Sequence, residues 1–288
     1  MKGLLDRIDR SKTLGQFIPL ILTGVVCMTF IAILYLSVSL FNLVPFATPI
    51  VIQIRWWDVV VGATIYLKTA IDFAIFMGRL MAANPGWQSR VAIEIGSSAG
   101  NALGTIAIIG LWVVLKDVHL LLAGMVLIAS LVLFELAHGS LEHFANWEGE
   151  GGVKRTLYLS LHTFLDAVNR LTSPLLSRIM PDLGEKLKGS SGLGWSQLLI
   201  FSTTVPFILG LDDFAGYVPL FTVVNVYGFA IGVIAAHTIL NIFLFLSPNK
   251  TIAAVKNPYI SFAGTIAFIG LAIYGLVETA RIVTEAFR

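Results

Sequence analysis

The stretch FIPLILTGVVCMTFIAILYLSVSLFNLV, residues 17–44, contains no Asp, Glu, Lys or Arg. A helix needs about 20 apolar residues to cross the hydrocarbon core of a bilayer, and the apolar part of a secretory signal is only about 7–15 residues long. The run therefore reads as a retained membrane span. Working outward, Ile95–Leu115, Phe214–Pro248 and Asn257–Val277 are equally uncharged, and Leu120–Phe134 reaches spanning length once extended past Glu135. Only 12% of the 288 residues are charged and 57% are hydrophobic, against about 25% charged in an ordinary soluble domain. The pattern predicts an all-α, polytopic membrane protein with seven transmembrane helices, near 17–44, 57–80, 92–115, 119–140, 195–216, 222–247 and 258–280.

Lys and Arg favour the cytoplasmic loops of membrane proteins. With the N-terminus inside, most of the 19 Lys and Arg fall in inside segments. Arg55, Lys116, Arg281 and Arg288 fall outside, and Lys68 lies within a span. This predicts a protein of the cell (cytoplasmic) membrane, N-terminus in and C-terminus out. Trp56, Trp57 and Trp195 fall at expected interfaces, where aromatic rings sit well. The net charge of +2 suggests no nucleic-acid partner, and the single Cys27 excludes an intramolecular disulfide. The segment 141–194 is the one sizeable soluble stretch. Within it VKRTLYLSLHTFLDAVNRL (153–171) puts Val153, Leu157, Leu161, Leu165 and Val168 on one stripe. An interfacial helix on the cytoplasmic leaflet, a lid on the bundle and a plain connecting hairpin all fit it.

The chain also repeats itself. AIDFAIFMGRL (70–80) aligns with LDDFAGYVPLF (211–221), Asp72 over Asp213. The next spans, GSSAGNALGTIAIIGLW (96–112) and GFAIGVIAAHTILNIFLF (228–245), each open with G-x-x-x-G, a motif that lets helix backbones approach closely. The third spans each carry an acid near their end, Glu135 and Glu278. This predicts two three-helix repeats, 56–140 and 195–280, after an extra first helix at 17–44. A cytoplasmic N-tail (1–16), the cytoplasmic insert 141–194 and an external C-tail (281–288) complete the chain. Three spans per copy is an odd number, so the second copy enters the membrane inverted, as in many transporters with midplane sites.

An acid near mid-membrane costs roughly 2.5–3.5 kcal/mol on insertion scales. Asp72 and Asp212 lie at nearly equal chain distances from Trp56 and Trp195, so a cation shared between the copies would offset the burial of both. The metal-ligand candidates are therefore Asp72, Asp212 and Asp213, with Asn101, Asn225 and His237 adding amide and imidazole donors beside the glycine motifs. Carboxylates and amides suit a hard or borderline divalent ion, whereas imidazole pulls toward Zn, Ni or Co. Lys68, one turn before Asp72, is a candidate counter-ion, or simply its i, i+4 partner. Glu135 is a coupling candidate within ELAHGSLEH (135–143), where Glu142, His138 and His143 add acid and imidazole. Glu94, a turn from Arg90, reads as a solvated interface residue. Pro206 and Gly210 in TTVPFILGLDD (203–213) predict either a broken helix with carbonyls available to an ion or a simple proline kink. H-E-x-x-H, G-x-S-x-G and a phosphate-binding glycine loop are absent, so the chain does not read as an enzyme.

On IDFAIFMGR, LDDFAGYVPLF and the twofold three-helix plan, residues 56–280 resemble the lysine-exporter (LysE) superfamily. The metal-exporting branches are the most similar: the manganese-efflux MntP type, the cadmium-resistance CadD type and TerC. The resemblance implies that Asp72 and Asp213 (or Asp212) take the ion-ligand role. The expected function is a secondary transporter exporting a divalent cation such as Mn²⁺, coupled to protons or sodium within the lipid bilayer, with no tightly bound cofactor. The alternatives are an exporter of small organic molecules or amino acids on the same fold, and a structural or assembly subunit of a membrane complex. A homo-oligomer is compatible with each.

Overall fold

A computed structural model describes residues 12–45, 47–84, 86–176 and 193–288; the side chains of 12–16, 19, 72, 175–176, 208–216 and 255 lie outside that description. Among the described residues every regular element is a helix. In chain order they are α1 (Lys12–Phe41), α2 (Trp56–Thr69), α3 (Ile71–Ala83), α4 (Trp87–Leu115), α5 (His119–Gly139), α6 (Val153–Leu176), α7 (Trp195–Tyr217), α8 (Val226–Leu246), α9 (Pro248–Val255) and α10 (Pro258–Ala286). Short 3-10 segments follow α5 (Ser140–Glu148) and α7 (Val218–Thr222).

The seven expected stretches are largely helical, but α7 is not among the described helices long and apolar enough to span. Among the described residues α1, α4, α5, α8 and α10 are long and apolar enough to cross a membrane, which fits a membrane-embedded, multi-pass protein. The expectation of one continuous helix over 57–80 needs correction. That stretch is a pair, α2 and α3, bent by 64° and able to count as a sixth span only if taken together. With 14 and 13 residues, each is about 20 Å long, short of the ~30 Å core. The Thr69 hydroxyl bonds back to the Tyr66 carbonyl at 3.1 Å, a local bond that competes with the helical ladder and bends it. The break considered at Pro206 does not occur, because α7 runs through it. Ser202 and Thr203 bond back to the carbonyls of Leu198 and Leu199, and the proline ring faces Gly100 of α4. At the C-terminus α10 continues through Ala286, so most of the 281–288 tail is helical.

The helices form two compact units, each assembled from separate stretches of chain. Unit 1 comprises Met1–Val113, Leu187–Leu211 and Val224–Ile252. Here both glycine motifs bring backbones together. A methyl on Gly232 would collide with the Val59 carbonyl of α2, one on Gly62 of α2 would collide with the Phe229 carbonyl, and Gly228 faces Asp58. From Asp58 against Gly228 to Tyr66 against His237 the contacts advance in the same sense along both helices, so α2 and α8 run parallel. Gly96 meets Ser202 and the Leu199 carbonyl, and Gly100 meets the Thr203 carbonyl. By the same logic α4 and α7 run parallel.

Unit 2 comprises Val114–Lys186, Asp212–Val223 and Ala253–Arg288. Its centre is the α5–α10 pair, where Gly275 abuts Ser130 and Phe262 stacks near Phe144 and Trp147. Ascending positions on one helix meet descending positions on the other, so this pair is antiparallel. Ala123, Val126, Ala129, Leu133, Phe268 and Ala272 fill the seam, the small residues permitting close approach in lipid as they do at glycine motifs.

Candidate functional site

Unit 1 encloses a chain of polar side chains inside its most apolar helices. It begins on α4, where Glu94, Ser97, Ser98 and Asn101 share one face at helical spacing beside Gly96 and Gly100. All four side chains are buried, and Glu94 is 0% exposed. Its Oε1 accepts a hydrogen bond from the Ser98 hydroxyl at 3.3 Å, whereas Oε2 has no hydrogen-bond partner. Thr23 of α1 and Asn241 of α8 complete the polar surroundings of the carboxyl without reaching hydrogen-bond geometry to Oε2.

From Asn241 the chain crosses to α2. The Asn241 amide nitrogen donates to Ser97 Oγ at 3.2 Å and stands 3.0 Å from His237 Nε2. A neutral ring whose Nε2 accepts from this amide carries its proton on Nδ1. That nitrogen lies 2.6 Å from the Tyr66 hydroxyl oxygen, which therefore accepts from it. Asn241 Oδ1 is buried without a hydrogen-bond partner. Tyr66 ends the last full turn of α2, and the Phe73 ring of α3 stands 5.1 Å from the His237 ring. The imidazole is thus held at the α2–α3 break, with one ring from each side of the bend against it.

A carboxylate in so apolar a bundle costs several kcal/mol if it is ionised and unpaired. The arrangement can therefore hold either a proton or a small cation on Glu94, and beside it Ser97, Asn241, His237 and Tyr66 form a hydrogen-bonded series that reaches the bend. The basic residue on the same helix does not neutralise Glu94. Arg90 instead donates from Nη1 to the Phe245 carbonyl at 3.3 Å. The reading of Glu94 as solvated is corrected on both counts. The polar stripe at 94, 97, 98 and 101 on an otherwise apolar span was the sequence signal for a face turned inward.

The other sequence-predicted residues distribute as follows. His237 is in the chain, 2% exposed. Asn101 is buried on the same helix, its backbone carbonyl accepting from the Thr105 hydroxyl. Asn225 is a helix cap: its Oδ1 accepts from Gly228 N at 2.9 Å and its amide donates to the Val51 carbonyl at 2.8 Å. Asn at that position is among the most favoured of caps. Lys68 is half-buried in the last turn of α2. Asp72 falls in the first turn of α3, and Asp212 and Asp213 in the last turns of α7. The side chains of these three acids are outside the described residues. Among the described residues no three His, Cys, Asp or Glu side chains are grouped to hold a metal.

In unit 2 the ELAHGSLEH cluster is rearranged. Glu135 is half-buried with Oε2 unpartnered, and Glu142 is exposed. His138 reaches Asp166 of α6 through Nε2 at 2.7 Å, and His162 meets the same carboxylate at 3.1 Å. The two imidazoles hold Asp166, outside the spans, below the usual carboxylate range, the His138 hydrogen bond being the main cause. Glu278 is buried and paired with Arg281 at 2.9 Å. Asp58, which the sequence reading passed over, is buried at the start of α2 in a two-pronged pair with Arg55, at 2.6 and 3.2 Å.

Comparison with known proteins finds no matching family model, no matching curated protein and no matching solved structure.

Proposed function

We propose that the protein is a secondary cation transporter built as two inverted three-helix repeats, coupled to protons or sodium. The observation that carries this reading is Glu94, a fully buried carboxyl with a bare oxygen, lying beside a hydrogen-bonded series of Ser97, Asn241, His237 and Tyr66 that ends at a helix break. Intramembrane ionisable groups are costly and mark ion paths or proton relays. One carboxyl among neutral hydroxyls and amides suits a single positive charge, because a divalent ion would leave its second charge uncompensated in a low-dielectric interior. Glu94 is accordingly assigned to the coupling ion.

The repeat reading is supported by the way helices exchange partners. The first span of each copy packs in parallel on the second span of the other, α2 on α8 and α7 on α4, each through the glycine motif of the second span. The third spans, α5 and α10, pair antiparallel. An inversion of the second copy gives all three pairings these directions, and so does alternate crossing by seven spans. The cargo, on the pattern of Asp72, Asp212 and Asp213 and the resemblance to the lysine-exporter superfamily, is a divalent cation of the Mn²⁺ kind. It would be exported across the cytoplasmic membrane by a chain with its N-terminus inside.

The test is Mn²⁺ movement into proteoliposomes under an imposed pH or sodium gradient, read with an internal metal-sensitive dye. Gradient-driven flux is expected in the wild type, and loss of its gradient dependence in Glu94→Gln. Flux that ignores both gradients, or an unaltered Glu94→Gln variant, would sink the proposal.

A further inference from the structure

Helix α6 has three faces where a surface helix of a globular protein has two. Tyr158, Leu165 and Thr172 are buried and form the face that packs into unit 2. Arg155, Asp166 and Arg170, with Leu159 among them, form a polar face. Between these lies a second apolar stripe of Val153, Leu157, Phe164 and Leu171, within about 40° of one another around the helix. All four are exposed, Val153 at 76% and Leu171 at 84%. Packing against unit 2 accounts for the first apolar face and leaves this one unexplained.

Two contacts with α5 show which way the stripe points. Helix α5 is apolar enough to cross a membrane, so its axis gives the direction of depth. Phe134 lies one turn deeper along it than His138, about 6 Å from that end of the helix. Phe164 of α6 meets the deeper residue, its ring 5.9 Å from that of Phe134. Asp166, about 200° around α6, meets the shallower one, 2.7 Å from His138. The helix therefore lies across the end of α5 with its Phe164 side toward the membrane interior and its Asp166 side toward water. Val153, Leu157 and Leu171 share the direction of Phe164. The start of α6 is pinned by Lys154, which bonds Glu150 at 2.5 Å and sits over the rings of Trp147 and Tyr259.

We infer that α6 is an in-plane membrane-docking helix, its Val153–Leu157–Phe164–Leu171 stripe seated in the lipid leaflet at the boundary between headgroups and acyl chains. The occupant is lipid because the stripe faces the same depth as the apolar turns of a spanning helix. Arg170 lies at the side, within reach of headgroup phosphates, while Arg155 points to water. Amphipathic helices in this setting bury their apolar face about 5–10 Å into that boundary. The inference does not depend on what the protein transports.

The test places a fluorescent probe on Leu171→Cys and, separately, on Arg155→Cys, in full-length protein carrying Cys27→Ser and reconstituted in phosphatidylcholine vesicles. Lipids brominated at different chain positions read depth, and aqueous iodide reads water. The Leu171 probe should be quenched by shallow brominated lipid and shielded from iodide, with the Arg155 probe showing the reverse. Equal iodide quenching at both sites would overturn the inference. So would a Leu171 probe shielded from both quenchers, the signature of a second copy or a protein partner on the stripe. The unmodified protein supplies a second measurement, through photo-crosslinking lipids with reactive acyl chains. Adducts are expected within 153–171 on the stripe; adducts on the exposed Leu120 and Leu127 of α5 with none on the stripe would overturn the inference equally.

Discussion

Glu94→Gln separates a proton-carrying carboxyl from a structural ion pair, because only the second loses stability. In the wild type, Oε1 holds the Ser98 hydroxyl and Oε2 is bare; a buried acceptor so left costs about 1–3 kcal/mol. Gln keeps the oxygen that Ser98 requires and replaces the bare one with a donor. Asn241 stands beside this group as a donor, so the new N–H gains no acceptor there and the exchange is close to neutral, within about 1 kcal/mol. In a chain of this size about 1 kcal/mol moves Tm by about 2–4 °C. The variant should therefore melt within a few degrees of the wild-type temperature. Had the resting protein depended on an ionised, paired Glu94, removing the charge would cost about 3–5 kcal/mol, and Tm would fall by about 10 °C. Tryptophan-fluorescence melting in detergent, run beside gradient-driven flux in proteoliposomes, reads both quantities. A stable variant with uncoupled flux is expected; a melting point lower by that amount, or flux with intact gradient dependence, would refute the assignment.

Gly232→Val forces a side chain into the Val59 backbone and should cost at least the upper end of the about 1–3 kcal/mol of overpacking. Gly24→Val, with open space around it, should stay within about 0.5 kcal/mol of wild type; thermal melting compares the two. Asn225→Ala should lower stability by about 1 kcal/mol, as loss of a cap does, without altering ion selectivity in flux assays. Asp213→Asn and Asp72→Asn should each abolish Mn²⁺ flux while leaving the protein inserted, and metal efflux at the wild-type rate would remove them from the cargo site. Asp166 is held below its ordinary value of 3.8, so its contribution to anchoring α6 is fully present above that value. It is lost as pH falls through the lower folded-state value. The protection of α6 amides relative to their intrinsic exchange rate should fall only in that acid window, and in Asp166→Asn should be low and independent of pH across it.

The positions of the helices were legible because apolar length is local. Phe17–Val44 needs no partner to be recognised, and it is helical through Phe41. The glycine motifs were equally legible as points of close approach, since absence of a side chain is a property of the residue alone. The break between α2 and α3 was not, because no Pro or Gly stands at it to mark it. The solvated reading of Glu94 rested on Arg90, the charge nearest to it in the chain. In three dimensions that guanidinium turns to Phe245, and the groups that surround the acid come from α1 and α8. His138 likewise found its partner on α6 rather than within its own cluster.

By itself the sequence determined that the chain is helical and membrane-embedded, where its apolar helices lie, and which small residues mark their contacts. Each of these follows from summing local terms over one turn or one span. The tertiary structure alone decided which polar groups meet. A hydrogen bond between Tyr66 and His237 joins residues 171 positions apart and exists only when two helices adopt one rotation and one register. In a medium without water to satisfy an unpaired group, that choice of neighbours governs where a charge can be held.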